Sequence, residues 1–452
     1  MQKREKVIII GAAGRDFHNF NTFYRNRPET EVVAFTAAQI PDIEGRKYPP
    51  ELAGELYPDG IPIHSQEEIT ELIRQYNVDE CVFSYSDISY GDVMSIASLV
   101  NSAGADFTLL GTRNTMIKSS KPVIAVGAVR TGGGKSQTSR RIIEILMEMG
   151  LRVVAVRHPM PYGDIAKQKV QRFATVEDLD LHHCTIEEME EYEPHVRRGN
   201  VIYSGVDYEA ILREAEKEAD IIIWDGGNND FPFYKPDLMI TIADPHRPGD
   251  ELGYYPGETV LRLADIVIIN KMDSANSADI QKVRENITLV NPNAVVVDAA
   301  SPLTVENPSD IRGKRVLVIE DGPTLTHGNM KIGAGTVAAR KFGAAELIDP
   351  RPFAKGRLKN TFETYPDIGV LLPAMGYGAE QIKDLEKTIN AVECDLVVSG
   401  TPIDITRIIQ INKPVVQVGY SLQEIGKPDL PELLGEFIRN QKEPNNAAGS
   451  NR

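Results

Sequence analysis

A series of short apolar runs rich in Val and Ile limits this fold more than any other feature. They cover residues 7–10, 32–35, 81–84, 107–110, 123–126, 153–156, 221–224, 238–242, 266–269, 295–297, 316–319, 370–372, 396–398 and 415–418. Runs that are apolar at every position, rather than at alternate ones, mark strands covered on both faces. Helical patterns lie between them, so the expected class is α/β with buried parallel sheets. A chain of 452 residues exceeds what one hydrophobic core usually holds, so two or three domains are expected.

Composition removes several function classes. Net charge is −16 with a pI near 5.1, whereas a nucleic-acid partner needs a basic surface. Any anionic ligand must then be held by local cations and backbone N–H groups. Cys81, Cys184 and Cys394 are far apart without C-x-x-C spacing, which fits a reducing compartment rather than a disulfide framework. Residues 1–6 are charged and 7–11 form only a strand-length apolar run, so no signal peptide is expected. No stretch approaches the roughly 18 apolar residues of a membrane span. A cytoplasmic protein with no membrane partner is expected.

The strongest motif follows the run 123–126. Val129, Arg130, Thr131, Gly132, Gly133, Gly134, Lys135, Ser136 and Gln137 lead into a helical pattern with Ile142, Ile143, Ile145 and Leu146, and Gly150 is placed to end it. Strand, glycine loop, Lys-Ser and helix is the context of a phosphate-binding loop. The glycines let backbone N–H groups face phosphate oxygens, and the helix N-terminus adds positive potential. Lys135 is expected to reach the β- and γ-phosphates, and Ser136 to ligate Mg²⁺. Val129 stands where the first glycine of the G-x-x-x-x-G-K-[ST] pattern falls. The glycines also fit a related pattern in which a basic residue, here Arg130, precedes two of them. Proteins of that class dimerise around the nucleotide, so a homodimer is expected, with Arg130 acting across the interface or in cis.

Further elements lie at strand ends, where open α/β sheets bind ligands. The run 221–224 ends in Asp225, the Walker B arrangement, which gives Asp225 a place in the Mg²⁺ shell. Asn270, Lys271, Met272 and Asp273 form the N-K-x-D string that reads guanine in GTPases, leaving ATP and GTP both open. Arg157, His158, His246 and Arg247 follow two other strands and are candidates to hold an anionic substrate by charge-assisted bonds. The working site is therefore Arg130, Lys135 and Asp225 for catalysis; Gly132, Gly133, Gly134, Lys135, Ser136, Gln137, Asn270, Lys271 and Asp273 for nucleotide; Ser136 and Asp225 for metal; and Arg157, His158, His246 and Arg247 for substrate. His182, His183 and Cys184 lack a second cluster to complete a metal site. The polar loops at 320–328 and 399–406 either face the cleft or are turns with local side-chain bonding.

These elements give a P-loop NTPase domain with a parallel sheet over 119–312. A Rossmann-like domain precedes it over 1–118, opening with a GxxG turn at Gly11–Gly14. A C-terminal α/β domain follows over 313–440, then a polar, disordered tail over 441–452.

The strings GAAGRDFHNF (11–20), VRTGGGKSQT (129–138), RHPMPYGD (157–164) and EDGPTLTHG (320–328) resemble the cyclic 2,3-diphosphoglycerate synthetase family over roughly residues 5–440. The resemblance implies an ATP-dependent ligase that closes 2,3-diphosphoglycerate into an intramolecular phosphoanhydride, releasing ADP and phosphate. The Asn270–Asp273 string is similar to that of nickel-insertion GTPases, which keeps a regulatory or maturation GTPase as the alternative. A nucleotide-gated sensor, with CoA or a dinucleotide in the N-terminal lobe, is a third reading.

Overall fold

A computed structural model describes residues 3–12, 14–38, 45–158, 165–227, 229–322, 325, 330–375 and 379–449. Its strands form three main sheets, and the α/β class expected from the apolar runs is what folds. The N-terminal sheet runs Lys47–Tyr48, Ile61–Ser65, Thr30–Ala37, Glu5–Ile10, Glu80–Phe83, Asp106–Thr108. All its neighbours are parallel except the short outer strand Lys47–Tyr48.

The central sheet has nine strands, in the order Gln171–Phe173, Val201–Ser204, Val153–Arg157, Ile221–Asp225, Val123–Ala128, Leu238–Ala243, Ile266–Ile269, Val295–Ala300, Gln423–Glu424. Only the two edge strands are antiparallel. Its middle strands are buried along their whole length, as continuous Ile/Val runs require. Each fully buried Ile or Val contributes about 1.5–3 kcal/mol of transfer free energy. The third sheet runs Leu303–Val305, Val415–Tyr420, Leu396–Ser399, Arg315–Asp321, Glu346–Leu347, with Leu372–Ala374 also paired to Arg315–Asp321.

Chain order and sheet membership differ at the C-terminal boundary. Leu303–Val305 lies before residue 313 yet pairs with Val415–Tyr420. Gln423–Glu424 returns to the central sheet beside Val295–Ala300. The following helix, Leu430–Gly449, runs past residue 440 into the segment expected to be a disordered tail. Leu430 and Leu434 enter the central core beside Ile142 and Leu146 of the phosphate-loop helix. Such strands of two or three residues carry too little periodicity to read from sequence.

Several contacts among the described residues fix the N-terminal sheet against the central one. Ile88–Ser89 pairs antiparallel with Tyr254–Tyr255. Arg15, first in the helix after the GxxG turn, sends Nε to Asp230 Oδ1 at 2.8 Å and lies over the Phe231 ring at 3.8 Å. The cleft is therefore lined by loops at the C-terminal ends of parallel central strands and roofed by the N-terminal turn.

Candidate nucleotide and substrate site

Strand Val123–Ala128 ends at the glycine loop, and helix Lys135–Glu148 begins at Lys135. Gly132 (φ +79°) and Gly134 (φ +112°) take left-handed backbone that other residues rarely adopt. A Cβ at Gly134 would stand 2.1 Å from Asn270 Nδ2. The helix closes after Glu148, with Gly150 at φ +81° and the Leu151 N–H returning to the Leu146 carbonyl at 3.2 Å.

Asp225 is the centre of the site. Fully buried at the end of its strand, its Oδ1 accepts from Lys135 Nζ at 2.8 Å and Ser139 Oγ at 2.7 Å. Arg157 Nη1 lies 3.4 Å from the same oxygen and donates to the Asp225 and Gly226 carbonyls at 3.1 Å. His195 Nε2 lies 3.3 Å from Oδ2, which accepts no hydrogen bond. Burial favours neutral Asp225, but Lys135 and Arg157 outweigh it and hold the carboxyl well below its ordinary range. Burial, with Arg157 second, lowers the Lys135 ammonium from its usual value. Burial likewise lowers His195.

The remaining candidates do not all converge on one place. Asn270 and Lys271 turn toward the phosphate loop. Asn270 Nδ2 donates to the Gly133 carbonyl at 3.0 Å, and Lys271 Nζ to the Gly132 carbonyl at 2.6 Å and to Asp244 Oδ2 at 3.0 Å. Arg247 braces the same loop, with Nη2 on the Thr131 carbonyl at 2.8 Å and on Asp244 Oδ2 at 3.0 Å. Asp273 and Gln137 converge on Ser301: the Ser301 N–H donates to Asp273 Oδ1 at 3.0 Å and its hydroxyl to Gln137 Oε1 at 3.0 Å.

Arg130 points to the N-terminal module. Its Nε donates to Asp87 Oδ1 at 2.6 Å, Nη1 meets Asp250, and the guanidinium lies 3.6 Å over Tyr254. His158 lies between two glycines. A Cβ on Gly14 would meet its Cε1 at 1.7 Å, and one on Gly227 its Cβ at 2.7 Å, so both glycines are needed for this ring to sit there. His246 stands apart, its Nε2 2.9 Å from Ser274 Oγ. Pro159–Asp164, Asn228, Pro323, Thr324 and Thr326–Gly328 lie outside the described residues.

Sequence reading overlooked helix Ile186–Val196. Glu191 meets Arg157 and accepts from Ser136 Oγ at 3.4 Å, and His195 faces Asp225. Glu191 and His195 are spaced i, i+4 and share a helix face. The signal was present: Thr185 and Glu188 form a reciprocal capping box, the T-x-x-E string that starts a helix. In the third sheet, Ser399, Thr401 and Asp404 form local turn bonds.

Comparison with known proteins adds to this geometry. A profile described as "Cyclic 2,3-diphosphoglycerate synthetase, P-loop domain" matches residues 197–300. A protein of Thermococcus kodakarensis named arginine synthetase ArcE is 65% identical over 439 residues, 97% of this chain and 98% of its own length. A cyclic 2,3-diphosphoglycerate synthetase of the same organism is 25% identical over 264 residues, 52% of this chain and 60% of its own. Among solved structures, LpxK of Aquifex aeolicus in complex with ATP aligns over 82% of this chain and 99% of its own, at 12% identity and TM-score 0.44.

Proposed function

This chain belongs to the cyclic 2,3-diphosphoglycerate synthetase family, and from that premise we propose that it is an ATP-dependent ligase whose product is arginine. The observation carrying this reading is the 65% identity over 97% of the chain to a relative named arginine synthetase. Arg157, Arg247, Lys271 and Arg130 are each ion-paired to a carboxylate of this chain, so a substrate bearing two phosphates would compete with those carboxylates for them.

Arginine differs from its ureido counterpart, citrulline, by one nitrogen at the guanidino carbon. A ureido oxygen is a poor leaving group until phosphorylated. In the proposed reaction that oxygen attacks the γ-phosphorus of ATP and the bond to ADP breaks. A nitrogen nucleophile then adds at the carbon, the C–O bond breaks with release of phosphate, and the nitrogen gives up a proton. Gly132–Ser136 would hold the triphosphate, with Lys135 at the transferring phosphoryl group. Ser136 and Asp225, a hydroxyl and a fully buried carboxylate that offer the oxygen ligands this ion takes, would hold Mg²⁺, which neutralises phosphate charge when bound; two protein ligands suffice for this ion. Arg157 and His158 would border the acceptor.

Formation of the 2,3-diphosphoglycerate anhydride is the second reading, favoured by the profile match over residues 197–300. Phosphorus NMR of the protein with MgATP, given citrulline and ammonium in one tube and 2,3-diphosphoglycerate in another, tests both, with chromatography for arginine. Arginine formed in step with ADP and phosphate is expected. A cyclic anhydride signal without arginine overturns the first reading. With MgGTP in place of MgATP, hydrolysis without either product would favour the GTPase.

A further inference from the structure

In the N-terminal sheet the chain leaves strand Glu5–Ile10 for Thr30–Ala37 on one side and returns later to Glu80–Phe83 on the other. The crevice between Glu5–Ile10 and Glu80–Phe83 is therefore a topological switch point, where open parallel sheets bind ligands beyond their C-terminal strand ends. Side chains span its mouth. The Ser84 N–H donates to the Ile10 carbonyl at 2.9 Å, and Asn19 Nδ2 donates to Ser84 Oγ at 2.9 Å. Arg15 stands one turn before Asn19 on the same helix face. One edge of its guanidinium is spent: Nε donates to Asp230 Oδ1 at 2.8 Å and Nη2 to the Phe231 carbonyl.

The other polar atoms at this mouth are buried without partners. Among the described residues, Arg15 Nη1 has no acceptor and Asn19 Oδ1 no donor, although the two residues are only 5% and 1% exposed. Thr36 Oγ1, on the strand beside Ile10, is likewise unpaired and fully buried. Leaving such groups unmet is costly. A small zwitterion meets them, its anionic end at Arg15 and its N–H donors at Asn19. A phosphate does not fit the turn. Asp16 already takes the Phe17 N–H at 2.7 Å, and a Cβ on Gly11 would stand 2.6 Å from Asp16 Oδ2. The crevice also adjoins the phosphoryl-transfer site. Arg15 holds Asp230, the adjacent Asn229 donates to Thr131 Oγ1 of the phosphate loop at 3.2 Å, and Gly14 packs on His158.

We propose that Arg15 and Asn19 form a subsite for the head group of an α-amino acid, with Arg15 Nη1 donating to the α-carboxylate and Asn19 Oδ1 accepting from the α-ammonium. This assignment rests on the arginine reading and adds which residues select an amino acid as acceptor. The head group then lies in the N-terminal module, and the ureido end extends past His158 toward the phosphate loop.

The test uses the full chain with MgADP. By calorimetry, wild type should bind citrulline at least about tenfold more tightly than its methyl ester, which lacks the carboxylate charge, and than its Nα-acetyl derivative, which lacks the ammonium. Arg15→Gln should reduce the first preference to within about threefold, and Asn19→Leu the second. In turnover, Asn19→Leu should raise the KM for citrulline at least about tenfold with kcat within about threefold, because it touches the end that does not react. Arg15→Gln leaves Asp230 without its cation; if that variant does not fold, Asn19→Leu decides. A wild type without these preferences, or variants that keep them, overturns the subsite and leaves the arginine reading standing. If the wild type has no affinity for citrulline, that reading fails and the subsite is judged on another amino acid. L-Ornithine at millimolar concentration should then raise the wild-type thermal midpoint above that in putrescine, which lacks only the carboxylate, and should not do so in Asn19→Leu. Equal midpoints in the two ligands, or the same difference in the variant, overturn the proposal.

Discussion

Three places in this molecule look alike in sequence: an apolar strand, a glycine-containing turn and a helix. They differ in what fills the helix N-terminus. In the third sheet, Glu320 fills it. Its carboxylate accepts from the N–H groups of Gly333 at 3.1 Å, Gly335 at 3.0 Å and Thr336 at 2.7 Å, and from the Thr336 hydroxyl at 2.8 Å. Cβ atoms on Gly333 and Gly400 would stand 2.5 and 2.3 Å from Glu320 Oε2, so those glycines make room for a carboxylate of the chain itself. In the N-terminal sheet, Asp16 accepts from the Phe17 N–H at 2.7 Å, and the helix has only five residues, all buried. In the central sheet the carboxylates stand behind the turn instead. Asp225 holds Lys135, Asp244 holds Lys271 and Arg247, and Asp87, reaching over from the N-terminal module, holds Arg130. A helix N-terminus is an anion site. An acidic chain can satisfy it with its own carboxylate or leave it for a phosphate, and the position of one Asp or Glu makes the difference.

The largest effect that would sharpen this contrast is at Lys135. Lys135→Ala should lower ATP-dependent product formation by at least about a thousandfold, roughly 4 kcal/mol of barrier, measured by phosphate release. The fold should survive, because Arg157 remains 3.4 Å from Asp225. Full turnover in that variant would break the assignment of the central loop. Glu320→Gln is the counterpart. It replaces an acceptor oxygen with an N–H group facing donors, and should cost about 3 kcal/mol in urea unfolding. ATP affinity should stay within about twofold. Weakened ATP binding with unchanged stability would mean that the third helix N-terminus is a ligand site after all.

Much of this was legible in the residues. Gly132–Ser136 and Asp225 stood in contexts that fix their backbone, and continuous Ile/Val runs gave the parallel strands. Side-chain commitment was not legible. Arg157 and Lys271 look like free cations in sequence, because the carboxylates that take them, Glu191 and Asp244, come from other elements brought together only by the fold; Arg247 is taken by Asp244 of its own loop, three residues before it. Nor does a Glu-rich helix announce that Glu191 and His195 face the phosphate loop while Glu190 faces a different sheet. Arg15 shows the same limit. It follows the GxxG turn with no partner visible in the string, and the fold spends it on Asp230 and two aromatic rings.

A smaller effect separates a carboxylate behind a turn from one inside it through pH. Burial favours neutral Asp244, but Lys271 and Arg247 outweigh it and bring its carboxyl down to about 2 from an ordinary 3.8. A depressed carboxyl stabilises the fold when ionised. Its contribution is therefore complete above about pH 4 and is lost as pH falls toward 2. The shift corresponds to roughly 2 kcal/mol. The stability difference between wild type and Asp244→Asn should be level above pH 4 and shrink by about that amount on acidification, followed by denaturant unfolding at each pH. A difference that stays constant down to pH 2 would mean that the cations behind the phosphate loop do not depend on the Asp244 charge. The central turn would then be held open by its glycines and Asn270 alone.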